Sequence, residues 1–363
     1  MGKLNSLLYR EGDLEGLDIT VPPSRVLFGS DKFCDILSGL DGLGIEHPII
    51  VSTQGGRQRL KKLFPGLDLP YFDGVLPHGP EAVVEAFRNI YLSGGHDAVI
   101  AVGGGSVLGL GKIMSAEEQA RFVAVPTTLS GSEMTPIYGR KIGLQKVTKV
   151  NPACQPDVIV YDPSLSAQLP HSVLSASAMN SLAHSVEAVF INKTQDTPEL
   201  AQAAIHSLFE GVPAVLKCAD CTSSRLKVQY GGFLGGLLIQ KNGIALHHEL
   251  CHVIGGLFGI DHGVSNSTVL AHVVAYNMVN ADPVLRGFFF RMWGDESPAD
   301  RIYHFAKSID APLALEDYGV TLGDVSGIVD KLLTKGFTNP PRRLDREAVK
   351  DMLAHIIEGR RPA

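Results

Sequence analysis

No apolar run in this sequence approaches the ~20 residues needed to cross a bilayer, and the chain is short of cysteine, tryptophan and positive charge. Its 363 residues include five cysteines and one tryptophan. Cys34, Cys154, Cys218, Cys221 and Cys251 are an odd, scattered set, which excludes a disulfide scaffold and points to reduced thiols in a cytoplasmic protein. Cys218 and Cys221 form a CxxC with no second pair, so a zinc ribbon is excluded. The surroundings are not those of a thioredoxin-like unit, and the pair reads as a helix end. The 32 basic residues against 38 acidic ones give a net charge of −6. That excludes nucleic acid or an anionic membrane as the main partner, since both need basic surface. A small acidic substrate stays open, because a pocket needs only a few local cations. The first residues hold no apolar core, so a secretory signal is not expected. Gly2 and Ser6 match the short N-myristoylation pattern, which reads as chance here because one acyl chain anchors only marginally.

The length and the hydrophobic share of 45% fit a well-packed protein of two domains. Residues 25–162 alternate short β-branched runs with helical segments. Strands are expected over 25–28, 48–52, 97–102, 122–125 and 158–161, with helices over 81–92 and 109–115, a parallel βαβ pattern. Residues 137–150 alternate apolar and polar around Gly143-Leu144, which predicts a small antiparallel hairpin. Beyond Asp162-Pro163 the strand-like runs stop. Helical periods are expected over 172–192, 198–214, 223–241, 243–258, 264–277, 299–309 and 346–358. The expectation is therefore an α/β nucleotide-binding domain over 1–162 and an all-helical catalytic domain over 163–363.

Two segments of the first half suit a dinucleotide. In AVIAVGGGSVLGLGK a buried strand runs into Gly103, Gly104, Gly105 and Ser106, and a helix follows. Glycine lets the backbone approach a ligand closely, and a helix N-terminus offers free N–H groups to a pyrophosphate. The spacing is neither GxGxxG nor a Walker P-loop. The second segment, AVPTTLSGSEMTP, places Thr127, Thr128, Ser130 and Ser132 around Gly131 after another strand. One such loop is an ordinary turn. Two, at neighbouring strand ends, point to a shared crevice. Thr53, Gln54, Gly55, Gly56 and Arg57 include no acid that would reject a 2′-phosphate, and Arg57 or Arg59 would accept one, so NADH and NADPH both stay open.

The helical half carries histidines at helical spacing. Asn180 and His184 stand at i and i+4, as do His248 and His252, and His262 follows ten residues later after a glycine-rich break. Residues so spaced share a helix face, and several imidazoles on facing helices make a catalytic pocket. Histidine is the commonest transition-metal ligand. Asn180 argues against a tightly held metal, because a neutral amide brings no charge to hold a cation. The expectation is NADH or NADPH and no metal.

GGGS at 103–106, PTTLSGSEMTP at 126–136, the NSLAH helix and HHELCHVIGG…DHG together resemble the iron-containing alcohol dehydrogenase superfamily, and within it the maleylacetate reductases. The resemblance runs from FGSD at 28–31 to AHVVAYN at 271–277. It implies a dehydroquinate synthase-like architecture: a nucleotide-binding α/β domain, an all-α C-terminal domain and an active site between them, commonly in a homodimer. In metal-dependent members an Asp and three His hold the ion, and these positions fall on Asn180, His184, His248 and His262. Asn at the first position is the mark of the maleylacetate reductases, which implies work without metal. His252 matches a histidine kept near the nicotinamide. DHGVSN looks more like the metal-dependent branch, and Asp31 stands where the family has the second glycine of FGxG. The implied reaction is NAD(P)H-dependent reduction of the C=C bond of maleylacetate or a similar oxo acid to 3-oxoadipate, in aromatic-compound breakdown. His252 or His248 is then the proton donor, and Arg140, Lys146 and Lys241 are candidate cations for the substrate carboxylates. The alternatives are a metal-dependent alcohol dehydrogenase or aldehyde reductase, and a non-redox lyase, isomerase or binder.

Overall fold

The computed structural model describes residues 14–76, 79–142, 145–218 and 221–363. The Gly2/Ser6 pattern and the Gly143-Leu144 turn lie outside them, as does the side chain of Lys146. The chain divides into two units, one comprising Met1–Leu169 with Cys218–Gln240, the other Pro170–Lys217 with Lys241–Ala363.

Apolar runs short enough for strands and flanked by helices pack as a parallel sheet buried on both faces. The strands of the first unit are β1 (Asp18–Val21), β2 (Ser24–Phe28), β3 (Pro48–Val51), β4 (Tyr71–Phe72), β5 (Ala98–Gly103), β6 (Arg121–Pro126), β7 (Ile137–Ile142), β8 (Gln145–Val150) and β9 (Val158–Tyr161). Seven of them form one sheet in the order β1-β2-β9-β6-β5-β3-β4. Edge strand β1 pairs antiparallel with β2 and every other pairing is parallel. β7 and β8 form the expected separate hairpin, with Ile137 opposite Val150. All four residues of β3 and of β9 are buried, as the unbroken apolar sequence demands.

The register of β5 against β6 sets Gly103 opposite Pro126. Both glycine-bearing loops therefore leave the sheet side by side at the carboxyl ends of adjacent parallel strands. Helix Gly105–Glu118 starts immediately after β5, with Gly104 at its N-cap and no side chain capping it. The second unit is built of helices, as the periodicity predicts. His171–Ile191 is its central helix, an Ala/Ser/Leu-rich segment buried almost all round, as a helix without a charged face must be.

Helix Thr222–Asn242 departs from the composition-based division of the chain. It lies in sequence among the helices of the second unit, yet its residues through Gln240 pack with the first. Gly232 and Gly236 make the reason visible. A Cβ at Gly232 would lie 2.8 Å from the Leu129 side chain, and one at Gly236 would lie 2.8 Å from the Gly131 Cα. Only bare backbone on that face lets the helix seat against the second glycine loop.

Candidate active site

The first unit supplies the nucleotide-type turn. A Cβ at Gly103 would fall 2.6 Å from Val107, and one at Gly104 would fall 3.2 Å from Thr128. Gly105 comes within 3.6 Å of the Ser130 side chain by the same measure. The amide of Thr127 donates to the Gly103 carbonyl at 3.0 Å. The loops bearing Gly103, Gly104, Gly105 and Ser106 and bearing Thr127, Thr128, Ser130 and Ser132 are thus one surface. Gly131 turns the second loop with φ +67°, a left-handed backbone that glycine adopts without strain.

Lys112, which sequence reasoning passed over, joins the two. It sits on the helix that follows the turn, fully buried, and its ammonium donates to the Ser132 carbonyl at 2.7 Å and to Thr135 Oγ1 at 3.0 Å. Burial draws its pKa down to about 8. Below the loop, buried Glu133 accepts from the Tyr161 hydroxyl at 2.8 Å, and burial raises its pKa. Asp31 takes φ +61°, so the departure from FGxG keeps the left-handed turn a glycine would give, which an aspartate tolerates better than most residues. Arg57, a candidate for a 2′-phosphate, is paired with Asp73 at 2.9 Å.

The second unit supplies the histidines. Helix Leu246–Phe258 ends at Gly259 in a left-handed turn, and helix His262–Met278 begins three residues later with Asp261 capping it. That break carries His262 back toward His248 and His252. The His184 and His248 rings stack with centroids 4.8 Å apart, His248 and His262 stand at 6.3 Å, and His252 and His262 stack at 5.8 Å. All four expected imidazoles therefore converge. Asn180 Oδ1 accepts from Asn266 Nδ2 at 2.8 Å.

Burial, then the neighbouring imidazoles, hold His184 and His248 well below the ordinary histidine pKa. Both are neutral near pH 7, the state a metal ligand needs. Two atoms in this cluster, His184 Nδ1 and His248 Nε2, are buried with no hydrogen-bond partner. His252 differs, with its side chain 43% exposed and Nδ1 3.9 Å from Glu249 Oε2.

Sequence reasoning missed Glu187 and His247. Glu187 is buried and takes His248 Nδ1 at 2.7 Å and the His247 amide at 2.8 Å. His247 lies 3.3 Å from His248, nitrogen to nitrogen, and burial lowers its pKa to about 3. The signal was present: Glu187 falls three residues after His184 on the same helix, in a segment with no other acid. Two of the proposed substrate cations are already engaged. Arg140 stands 3.7 Å from both Glu85 and Glu117, and Lys241 binds Asp196 at 2.8 Å. Cys218 and Cys221 are free thiols, and they sit just before helix Thr222–Asn242.

A parallel sheet with paired glycine turns and a helical unit with converging imidazoles define an oxidoreductase of the iron-containing alcohol dehydrogenase type. The chain belongs to that family: the sequence pattern described as iron-containing alcohol dehydrogenase matches residues 23–163, and that of the family's C-terminal part matches 174–357. It is 30% identical over 344 residues to maleylacetate reductase 1 of Cupriavidus pinatubonensis, covering 93% of this chain and 96% of that one. It is 32% identical to the maleylacetate reductase of Pseudomonas aeruginosa, covering 93% and 97%. The crystal structure of maleylacetate reductase from Agrobacterium tumefaciens superposes with a TM-score of 0.88 at 28% identity, over 94% of this chain and 98% of that one. Among the described residues no helix is long and apolar enough to cross a membrane.

Membership corrects the expectation that no metal is needed. The family implies a bound iron, and Glu187, His247 and His248 bring potential ligand atoms within 4.8 Å of one another. The residues fit such an ion. His184, His248 and His262 are imidazoles, a ligand type suited to iron, and the partnerless His248 Nε2 lies opposite a nitrogen fixed by a carboxylate. The neutral amide of Asn180 is not the only polar group that bears on the site. Glu187 places a carboxylate one ring behind the cluster.

Proposed function

We propose that this chain uses NADH or NADPH to reduce the C=C bond of maleylacetate, or of a similar small oxo acid, to 3-oxoadipate, as a cytoplasmic homodimer. The observation that carries this reading is the convergence of buried His184 and His248 with His262, beside Asn180, in a chain whose relatives at 30–32% identity are maleylacetate reductases.

The paired loops hold the nucleotide. Amides at the uncapped start of helix Gly105–Glu118 receive the pyrophosphate, and Thr127, Thr128, Ser130 and Ser132 line it. Hydride passes from the nicotinamide C4 to the alkene carbon β to the ketone, and negative charge develops on the ketone oxygen. His184, His248 and His262, with Asn180 beside them, are the residues that would hold an iron, and the ion would supply Lewis-acid chemistry when bound. The α carbon then takes a proton. His252 is the better donor of the two candidates, delivering it from Nε2. His248 is held neutral by burial and spends its Nδ1 on Glu187, so it has no proton to give at the site.

The test is loss of nicotinamide absorbance in the iron-loaded enzyme, with each cofactor, offered maleylacetate or simple aldehydes. Stoichiometric consumption with maleylacetate supports the reading. Turnover of aldehydes with none of maleylacetate makes this an alcohol dehydrogenase instead. Three imidazoles at a metal site give that second reading its footing.

A further inference from the structure

Helix Leu246–Phe258 has no side chain of its own at its start to cap it. Its N-cap is Ala245, which makes no side-chain bond. Two distant residues do the work. Asn339 Oδ1 accepts from the Leu246 amide at 3.3 Å, and Glu187 Oε1 accepts from the His247 amide at 2.8 Å. The second Glu187 oxygen stands 2.7 Å from His248 Nδ1, with the two side chains 4% and 3% exposed. A carboxylate is an acceptor on both oxygens when ionised. It therefore obliges His248 to carry its proton on Nδ1, and Nε2 is left with a bare lone pair and no partner.

We infer that Glu187 is a positioning residue, which fixes the orientation and the tautomer of the His248 ring, and is not itself a metal ligand. Its two oxygens are committed to the helix start and to the ring, and turning either toward an ion would strip the helix of its anionic cap. His247 is likewise committed, its Nε2 lying 3.3 Å from the Asn266 carbonyl. A carboxylate behind a ligating imidazole raises the ring's basicity and holds its orientation. In this chain that arrangement offsets the neutral amide of Asn180. The inference rests on the iron site proposed above.

The experiment titrates metal-stripped full-length protein with Fe²⁺ under anaerobic conditions, against a chromophoric chelator. Wild type, Glu187→Gln and Asn339→Ala are compared, with NADPH binding followed in each as a check on the first unit. Glu187→Gln should bind iron about 10- to 100-fold more weakly. Asn339→Ala removes only a cap and should change affinity less than about threefold, although both variants melt earlier. Equal iron affinity in Glu187→Gln and wild type overturns this inference and leaves the iron site standing, as does an equal loss in both variants. No binding by wild type brings down the iron site and the inference with it. Should Glu187→Gln not fold, the ¹⁵N resonances of wild-type His248 decide: a proton on Nδ1 agrees, and a bare Nδ1 overturns.

Discussion

His252 is the candidate proton donor of the cluster, with its side chain 43% exposed, and its replacement separates proton delivery from binding. His252→Gln should lower kcat with maleylacetate by about 10²-fold or more, the usual worth of a positioned acid, while KM changes little. A steady-state comparison checks it, and an unchanged kcat moves the proton donor elsewhere. Cys221 offers a second test at this scale. Hydrogen bonds from Ser224 lower its pKa to about 7, whereas burial raises those of Cys154 and Cys251. Alkylation of Cys221 by iodoacetamide should therefore rise through pH 7 and level off above it, with the buried thiols unmodified in the native protein. Peptide mass mapping across pH 5.5–9 reads this directly. Lys112 gives a stability prediction. Its folded pKa lies near 8, below the ordinary 10.5, so the unfolded chain binds the extra proton between those values. Stability should climb as pH rises through that window, by up to about 3 kcal/mol at 1.36 kcal/mol per unit. Urea unfolding of wild type at pH 7.5 and 10 against Lys112→Met, which lacks the climb, checks the sign.

At the scale of elements, glycines in two helices of the first unit make opposite predictions. Gly236→Ala drives a Cβ into the Gly131 backbone, and overpacking of that kind costs about 1–3 kcal/mol. It should weaken NADPH binding too, because the displaced loop is the one bearing Thr127 to Ser132. Gly109→Ala, inside helix Gly105–Glu118 with nothing within 4 Å, should stabilise by about 0.5–1 kcal/mol. Urea midpoints and a fluorescence titration of NADPH distinguish the pair. These two glycines also show what the sequence can and cannot say. β5 and its turn were legible because an unbroken apolar run followed by three glycines has few other uses. The seat of Gly236 against Gly131 was not, because glycine in a helix reads as a weak point until the partner backbone is known. Glu187 was hidden for a related reason. A lone acid in a helical segment reads as a solvated face, and only the arrival of helix Leu246–Phe258 turns it into a cap. The imidazoles were readable from their i, i+4 spacing, whereas the difference between buried His248 and exposed His252 arises from packing.

At the largest scale, the proposed reaction assigns the nucleotide to the glycine turns of the first unit and the metal to the imidazoles of the second. Asn180→Asp examines that second task. It places a charge among the imidazoles while keeping an oxygen for Asn266, and it should tighten iron binding by about 10-fold or more, as charged acceptors outdo neutral ones. Chelator competition measures it, and unchanged affinity would remove Asn180 from the site. The fate of the hydride tests the reaction itself most directly. The enzyme is given maleylacetate and cofactor deuterated at the transferring C4 position, and the product is read by NMR. Deuterium on the carbon β to an intact ketone is the predicted result. Deuterium on a carbinol carbon, with the double bond still in place, would contradict the account.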